Sequence, residues 1–96
     1  MKKSLMVALL AFVSVIAMAV PNGFYQNSRG RGVYISGNSF SSTNRDGEVI
    51  VTWQIVDERD GVLTLRSSLG ATSTATWWRE DGKIYLEWNY STYVHD

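Results

Sequence analysis

The chain has 96 residues, nine basic and nine acidic side chains, four tryptophans, five tyrosines and no cysteine. This excludes a disulfide framework, a thiol nucleophile and a thiolate metal site, and the even charge balance argues against a polyanion-binding role, which needs a basic excess. The length limits the chain to one domain.

The first residues read as an address. Lys2 and Lys3 form a positive start, Leu5 to Met18 an apolar run broken only by Ser14, and Ala17-Met18-Ala19 a small-x-small cleavage site, the order of a secretory signal peptide over residues 1–19. Cleavage there makes Val20 the new N-terminus. The apolar run falls short of the roughly 18–20 residues of a spanning helix, so no stable membrane span is expected after cleavage. No cysteine is available for lipoprotein acylation. The mature protein is expected to be soluble, in a periplasm or outside the cell, with residues 20–96 forming a single β-domain. Losing Lys2 and Lys3 leaves seven basic side chains against nine acidic ones, a net charge of −2. A chain of this size has a core worth only about 3–5 kcal/mol, so its aromatic residues must pack well or find a partner.

From Gly23 onward, short alternating runs are cut by turn residues, and no window has the length and period of an amphipathic helix. Arg29-Gly30-Arg31-Gly32 reads as a flexible glycine loop rather than an RNA-binding run. The predicted strands are Phe24–Gln26, Val33–Ser36, Ser39–Thr43, Glu48–Asp57, Val62–Ser67, Ala71–Arg79 and Lys83–Tyr90. Gly37-Asn38, Arg45-Asp46-Gly47, Arg59-Asp60-Gly61 and Asp81-Gly82 supply hairpin turns, which force neighbouring strands antiparallel. The fold class is therefore all-β, an antiparallel meander of six to seven strands forming a small barrel or a strongly curled sheet.

The turns set the register. Gly37-Asn38 as a type II′ turn places Ile35 opposite Phe40 on the inner face and turns Tyr34 outward. Arg59-Asp60-Gly61 as a three-residue loop pairs Glu58 with Val62 and Ile55 with Leu65. Val49, Val51 and Trp53 then face inward with Ile55, Leu63 and Leu65, leaving Ile50 and Val56 outside. Asp81-Gly82 as a type I′ turn pairs Glu80 with Lys83, Arg79 with Ile84, Trp78 with Tyr85, Trp77 with Leu86, and Ala75 with Trp88. Trp77, Trp88, Ala75, Leu86 and Ile84 share the core side. Trp78 and Tyr85 lie instead among the solvent-type pairs Glu80 with Lys83, Thr76 with Glu87 and Thr74 with Asn89.

The strand order resembles small bacterial secreted lipocalin-like proteins. The resemblance rests on a Y-x-I-x-G-N hairpin at Tyr34, Ile35, Gly37 and Asn38, a G-x-L-x-L strand at Gly61, Leu63 and Leu65, and a T-x-W-x-R-type strand at Thr76, Trp77 or Trp78, and Arg79. It implies a meander β-barrel that binds small apolar ligands or acts at the cell envelope. A full lipocalin barrel has eight strands; seven are legible here.

Nothing in the chain assembles into a catalytic constellation. His95, the only histidine, sits next to the C-terminal residue, where a frayed, solvated side chain is expected. Asp57, Glu58 and Asp60 crowd one turn and Glu80 with Asp81 another, positions typical of solubility and turn geometry. No metal site or cofactor is expected, since Asp57 to Gly61 lacks calcium-loop spacing. The expectation is a small secreted non-catalytic binding module. Its candidate contact residues are Trp78, Tyr85 and Tyr34, and its partners a protein, a glycan or a small apolar ligand, with no nucleic acid. The alternative is a structural subunit that forms a homo-oligomer through strand edges.

Overall fold

The computed structural model describes residues 20–95. The predicted signal segment, residues 1–19, lies outside the described residues, as does Asp96. The described chain is all β: β1 (Gly23–Gln26), β2 (Gly32–Ser36), β3 (Ser39–Thr43), β4 (Val49–Arg59), β5 (Val62–Arg66), β6 (Thr72–Glu80), β7 (Lys83–Trp88) and β8 (Ser91–His95). Each strand pairs antiparallel with the next, and β8 pairs back onto β1, so the meander closes into a barrel. This is the strand number of a lipocalin-like barrel in general, one more than the sequence reading found.

The added strand corrects the reading of the C-terminus. The predicted strand Lys83–Tyr90 ends at Trp88, and Asn89 and Tyr90 form a two-residue turn with φ of 53° and 64°, so that Trp88 faces Ser91. Both central residues have positive φ, as a type I′ turn requires, but a tyrosine takes the place where glycine is usual. The turn was therefore invisible to a search for Gly and Asp. His95 is correspondingly a strand residue paired with Tyr25, not a frayed end.

The Asp81-Gly82 turn has φ of 52° and 78°, and six of the seven predicted β6–β7 pairs form; the seventh, Thr74 with Asn89, is a correction, because β7 ends at Trp88 and Asn89 turns into β8. At Gly37-Asn38 the positive φ falls on Gly37 alone, as type II′ demands, and Ile35 faces Phe40. The β4–β5 connection departs from expectation. Asp60 and Gly61, with φ of 51° and 81°, make a two-residue turn that pairs Arg59 with Val62 and Glu58 with Leu63. Taken alone, that register would set Ile55 against Arg66. A bulge at Val56 absorbs the offset, and Ile55 regains Leu65 as its partner.

The other end of the barrel uses one loop design three times. In Asn27–Arg31, Asn44–Glu48 and Ser67–Ala71 the first residue accepts the N–H of the glycine at the fourth position on its carbonyl, at 3.0–3.2 Å. Its side-chain oxygen accepts the N–H of the fifth residue at 3.0–3.1 Å. The Arg29 to Gly32 run thus belongs to a hydrogen-bonded hairpin, and the expected flexible glycine loop is corrected.

Alternation fills the interior. Tyr25, Val33, Ile35, Phe40, Leu63, Leu65 and Leu86 have no exposed surface, and each full burial of this kind is worth roughly 1.5–3 kcal/mol. Trp53, Ile55, Trp77, Ile84 and Trp88 pack around them, half-buried. Trp88 meets Phe40 edge-on at 5.1 Å and Trp53 at 6.3 Å, and the small Ala75 opposite it leaves room for the indole. Val49 and Val51 are a correction: they are 60% and 36% exposed rather than core. Ile50 is unpaired at a bulge in the β3–β4 ladder, and β5 runs only beside Gln54–Arg59, so Val49–Trp53 extend past its end. Nothing from β5 covers the two valines.

Two glycines separate steric cost from conformational cost. An Ala Cβ at Gly82 meets nothing within 4 Å, whereas at Gly61 it would lie 2.7 Å from the Trp77 carbonyl oxygen, against backbone that cannot yield. Gly82→Ala should cost about 1–2 kcal/mol, the left-handed penalty alone, and Gly61→Ala about 3 kcal/mol or more. Tyr90→Gly, at a fully exposed left-handed position, should raise stability by about 0.5–1 kcal/mol after the entropy cost of glycine. Urea melts of the three variants read these values.

Candidate functional site

The three predicted contact residues divide between two surfaces. Trp78 on β6 and Tyr85 on β7 are cross-strand partners whose rings stack at 5.5 Å with an interplanar angle of 15°. Both are half-buried, and each ring covers one face of the other. Val94 on β8 lies opposite Tyr85 and extends the row. Glu80 with Lys83 and Thr76 with Glu87 frame it with polar pairs. Arg79 turns to the other side, its guanidinium 5.9 Å from the centre of the Trp77 ring.

Tyr34 lies on β2, three strands further round through β8 and β1. It is 50% exposed and sits across β3 from the start of β4, in the row Tyr34, Ser41, Thr52. The start of β4 also exposes Val49, Ile50, at 63%, and Val51, the last of which lies in the adjacent row Val33, Ser42, Val51 and so belongs to the opposite face of the sheet. Beside it, a cleft of about 270 Å³ opens where Ser67 and Ser68 leave the line of β4; its wall includes Thr52, Trp53 and Arg66. The indole N–H of Trp53 is buried there without a hydrogen-bond acceptor. A second cleft of about 270 Å³ lies at the loop end, between Asn27–Arg29 and Tyr90–Thr92.

The turn end is shut by the first described residues. Val20 is buried, and its backbone N–H donates to Glu58 Oε1 at 3.1 Å. The Trp77 indole N–H donates to Glu58 Oε2 at 2.8 Å. Tyr25 donates its hydroxyl to the Pro21 carbonyl at 2.6 Å, and Asn22 Oδ1 accepts the Gly37 N–H at 3.0 Å. His95 Nε2 lies 2.8 Å from the Asn22 carbonyl, and the His95 ring meets Tyr25 edge-on at 4.7 Å. Sequence reasoning placed Glu58 among solvated turn acids. Its partner Val20 is 38 residues away, and no local pattern carries that contact.

Three further acids, Asp57, Asp60 and Asp81, lie in or beside the β4–β5 and β6–β7 turns. Asp57 pairs with Arg59 across the same strand at 3.3 Å, both partly exposed, a contact worth well under about 1 kcal/mol. Asp60 and Asp81 are first residues of type I′ turns. Among the described residues no group of three or more His, Asp or Glu side chains is placed to hold a metal ion. No helix among them is long and apolar enough to cross a membrane.

Compared with protein-family models, curated proteins and solved structures, the chain matches none.

Burial pushes the Tyr25 phenol up to about 12, with the Arg79 charge opposing and the Glu58 charge assisting. Tyr93 is raised in the same way, chiefly by burial, with Arg31 opposing. A folded Tyr25 pKa above the unfolded value of 10.0 means that the stability it contributes is complete below pH 10 and is lost as pH rises toward 12, and Tyr93 adds a loss of the same sign. Urea midpoints should therefore fall steeply over that window. Tyr25→Phe should be less stable at pH 7, having lost the bond to Pro21, and should show a shallower alkaline decline.

Proposed function

We propose that this protein is a small exported, non-catalytic binding module of lipocalin-like architecture that makes contact through its outer surface. The observation that carries this reading is where the aromatic residues lie. Tyr25, Phe40 and their aliphatic neighbours fill the barrel, and Val20 to Asn22 cover one end, which argues against a ligand held inside. The Trp78–Tyr85 stack is the largest ring pair on the outside, set among charged side chains with no core role. Half-exposed rings beside hydrogen-bonding groups suit a sugar, whose apolar face packs on aromatic carbon while its hydroxyls meet polar neighbours.

The non-catalytic reading draws support from how the acid and base groups are used. Glu58 is bonded to Val20 and Trp77, Asp57 to Arg59, and His95 packs on Tyr25. None of these pairs a nucleophile with a base.

A second reading rests on a separate observation. Barrel closure removes the open edges on which the assembly hypothesis was based, but Val49–Trp53 still run past the end of β5 with Val49 and Ile50 largely exposed. An apolar strand edge of this kind pairs readily with a second copy of the chain.

Titrating a panel of soluble oligosaccharides against tryptophan fluorescence tests the first reading. At least one should bind, and Trp78→Ser with Tyr85→Ser should weaken it by about tenfold or more, a loss of about 1.4 kcal/mol, with the urea midpoint little changed. Asp57→Asn with Asp60→Asn should bind as the parent does. A panel without a single binder, or full affinity in the ring variant, overturns this reading. Sedimentation equilibrium decides the second: a dimer that dissociates on Ile50→Lys establishes edge assembly, and a monomer at all concentrations removes it.

A further inference from the structure

We propose that Glu58 is the receptor for the α-ammonium group created when the chain is cut before Val20, so that export processing itself locks the turn end of the barrel. The proposal rests on the signal-peptide reading of residues 1–19 and on contacts that lie wholly within the described residues.

Three observations converge on one nitrogen. The Ala17-Met18-Ala19 pattern places the scissile bond directly before Val20. The Val20 nitrogen is the atom bonded to Glu58, at 3.1 Å to Oε1. The second carboxylate oxygen is held by the Trp77 indole at 2.8 Å, which fixes the carboxylate on the Val20 nitrogen. The next residue is proline, which has no N–H, so the Val20 nitrogen is the sole backbone donor of that dipeptide. The segment is aligned independently by Tyr25 on the Pro21 carbonyl and by Asn22 on Gly37. Val20 as a whole is only 7% exposed.

Hydrolysis by a signal peptidase changes the chemistry of that atom. Water adds its oxygen to the Ala19 carbonyl carbon, the C–N bond breaks, and a carboxylate departs with residues 1–19. The Val20 nitrogen takes up the protons that make it an ammonium. A hydrogen bond charged only at its carboxylate acceptor becomes an ion pair charged on both partners, in a partly buried site. Val20 is also the first residue of the mature chain and Glu58 lies near its middle, so the pair ties the open end of the chain to β4. Recognition of an N-terminal amine by a fixed set of acceptors is a general binding mode. Here the ligand is the protein's own end.

Removal of residues 1–19 leaves Lys83 as the only lysine, which supplies an internal standard. At pH 8 an ordinary α-amine, with a pKa of about 7.7–8.0, reacts with acylating reagents far faster than a lysine amine at about 10.4. In the exported, processed protein the order should reverse, with Lys83 labelled first and Val20 slowed about tenfold or more relative to the same protein in urea. Glu58→Gln should restore rapid labelling of Val20. In a parallel measurement, a chain carrying Gly-Ser ahead of Val20, which keeps the N–H but moves the charge away, should show a folded-to-unfolded ratio about fivefold lower than the processed protein. On the Glu58→Gln background that difference should shrink to within about twofold. Rapid labelling of Val20 in the folded wild-type protein overturns the proposal without any variant having to fold. An intact mass showing that export leaves a terminus other than Val20 overturns the processing step on which it rests, and is distinguishable because the labelling order of a chain made to begin at Val20 is read separately.

Discussion

An antiparallel meander has two bare edges unless its last strand pairs with its first, and closing the ring in so short a chain is the constraint that governs this molecule. The seam consists of two residue pairs, Tyr25 with His95 and Gln26 with Val94. Pairing first with last demands that the strands tilt and stagger around the axis. The stagger is visible at β4, which at 11 residues is the longest strand: its first half lies against β3 and its second half against β5. Bulges at Ile50 and Val56, one in each half, keep the inward row inward while the strand crosses between partners. The exposed valines at the start of β4 are a by-product of the same stagger.

The two ends of the ring are built differently. One has three two-residue turns and is sealed by Val20 to Asn22, whose polar atoms are taken up by Glu58, Tyr25, Gly37 and His95. The other has three five-residue loops of common design and one tight turn with Tyr90 at its apex, and is left to solvent. Residues without a structural role are found on the outer wall and at the loop rim.

The sequence was most informative where a turn residue and an alternating pattern agreed. Asp81-Gly82 set six cross-strand pairs correctly, and parity alone separated Trp77 from Trp78 and brought Trp78 to Tyr85. It was least informative where a tertiary constraint overrode a local rule. Tyr90 hid a turn, and with it a strand and the ordered place of His95. A bulge at Val56 let a two-residue turn and the Ile55–Leu65 pair coexist, where strict alternation allowed only one of them. Val49 and Val51 were assigned by alternation to a core that ends before it reaches them. Of the candidate surfaces, the Trp78–Tyr85 pair was legible because its partners are close in sequence; that Tyr34 belongs to a separate face depends on the order of strands around the ring.

Pairing β8 with β1 brings the first and last described strands together, with His95 packed against both Tyr25 and the Asn22 carbonyl. A ring of eight hairpin-linked strands has no intrinsic beginning: the gap between His95 and Val20 is one junction among eight, and the only one not spanned by covalent backbone. A circular permutant that joins these ends with a short linker and opens at Ser67–Ala71 would keep every strand neighbour while converting the weakest seam into a hairpin. The linear order of the described strands is in that sense a choice about where to leave the ring open, and the opening chosen sits beside the Glu58 carboxylate.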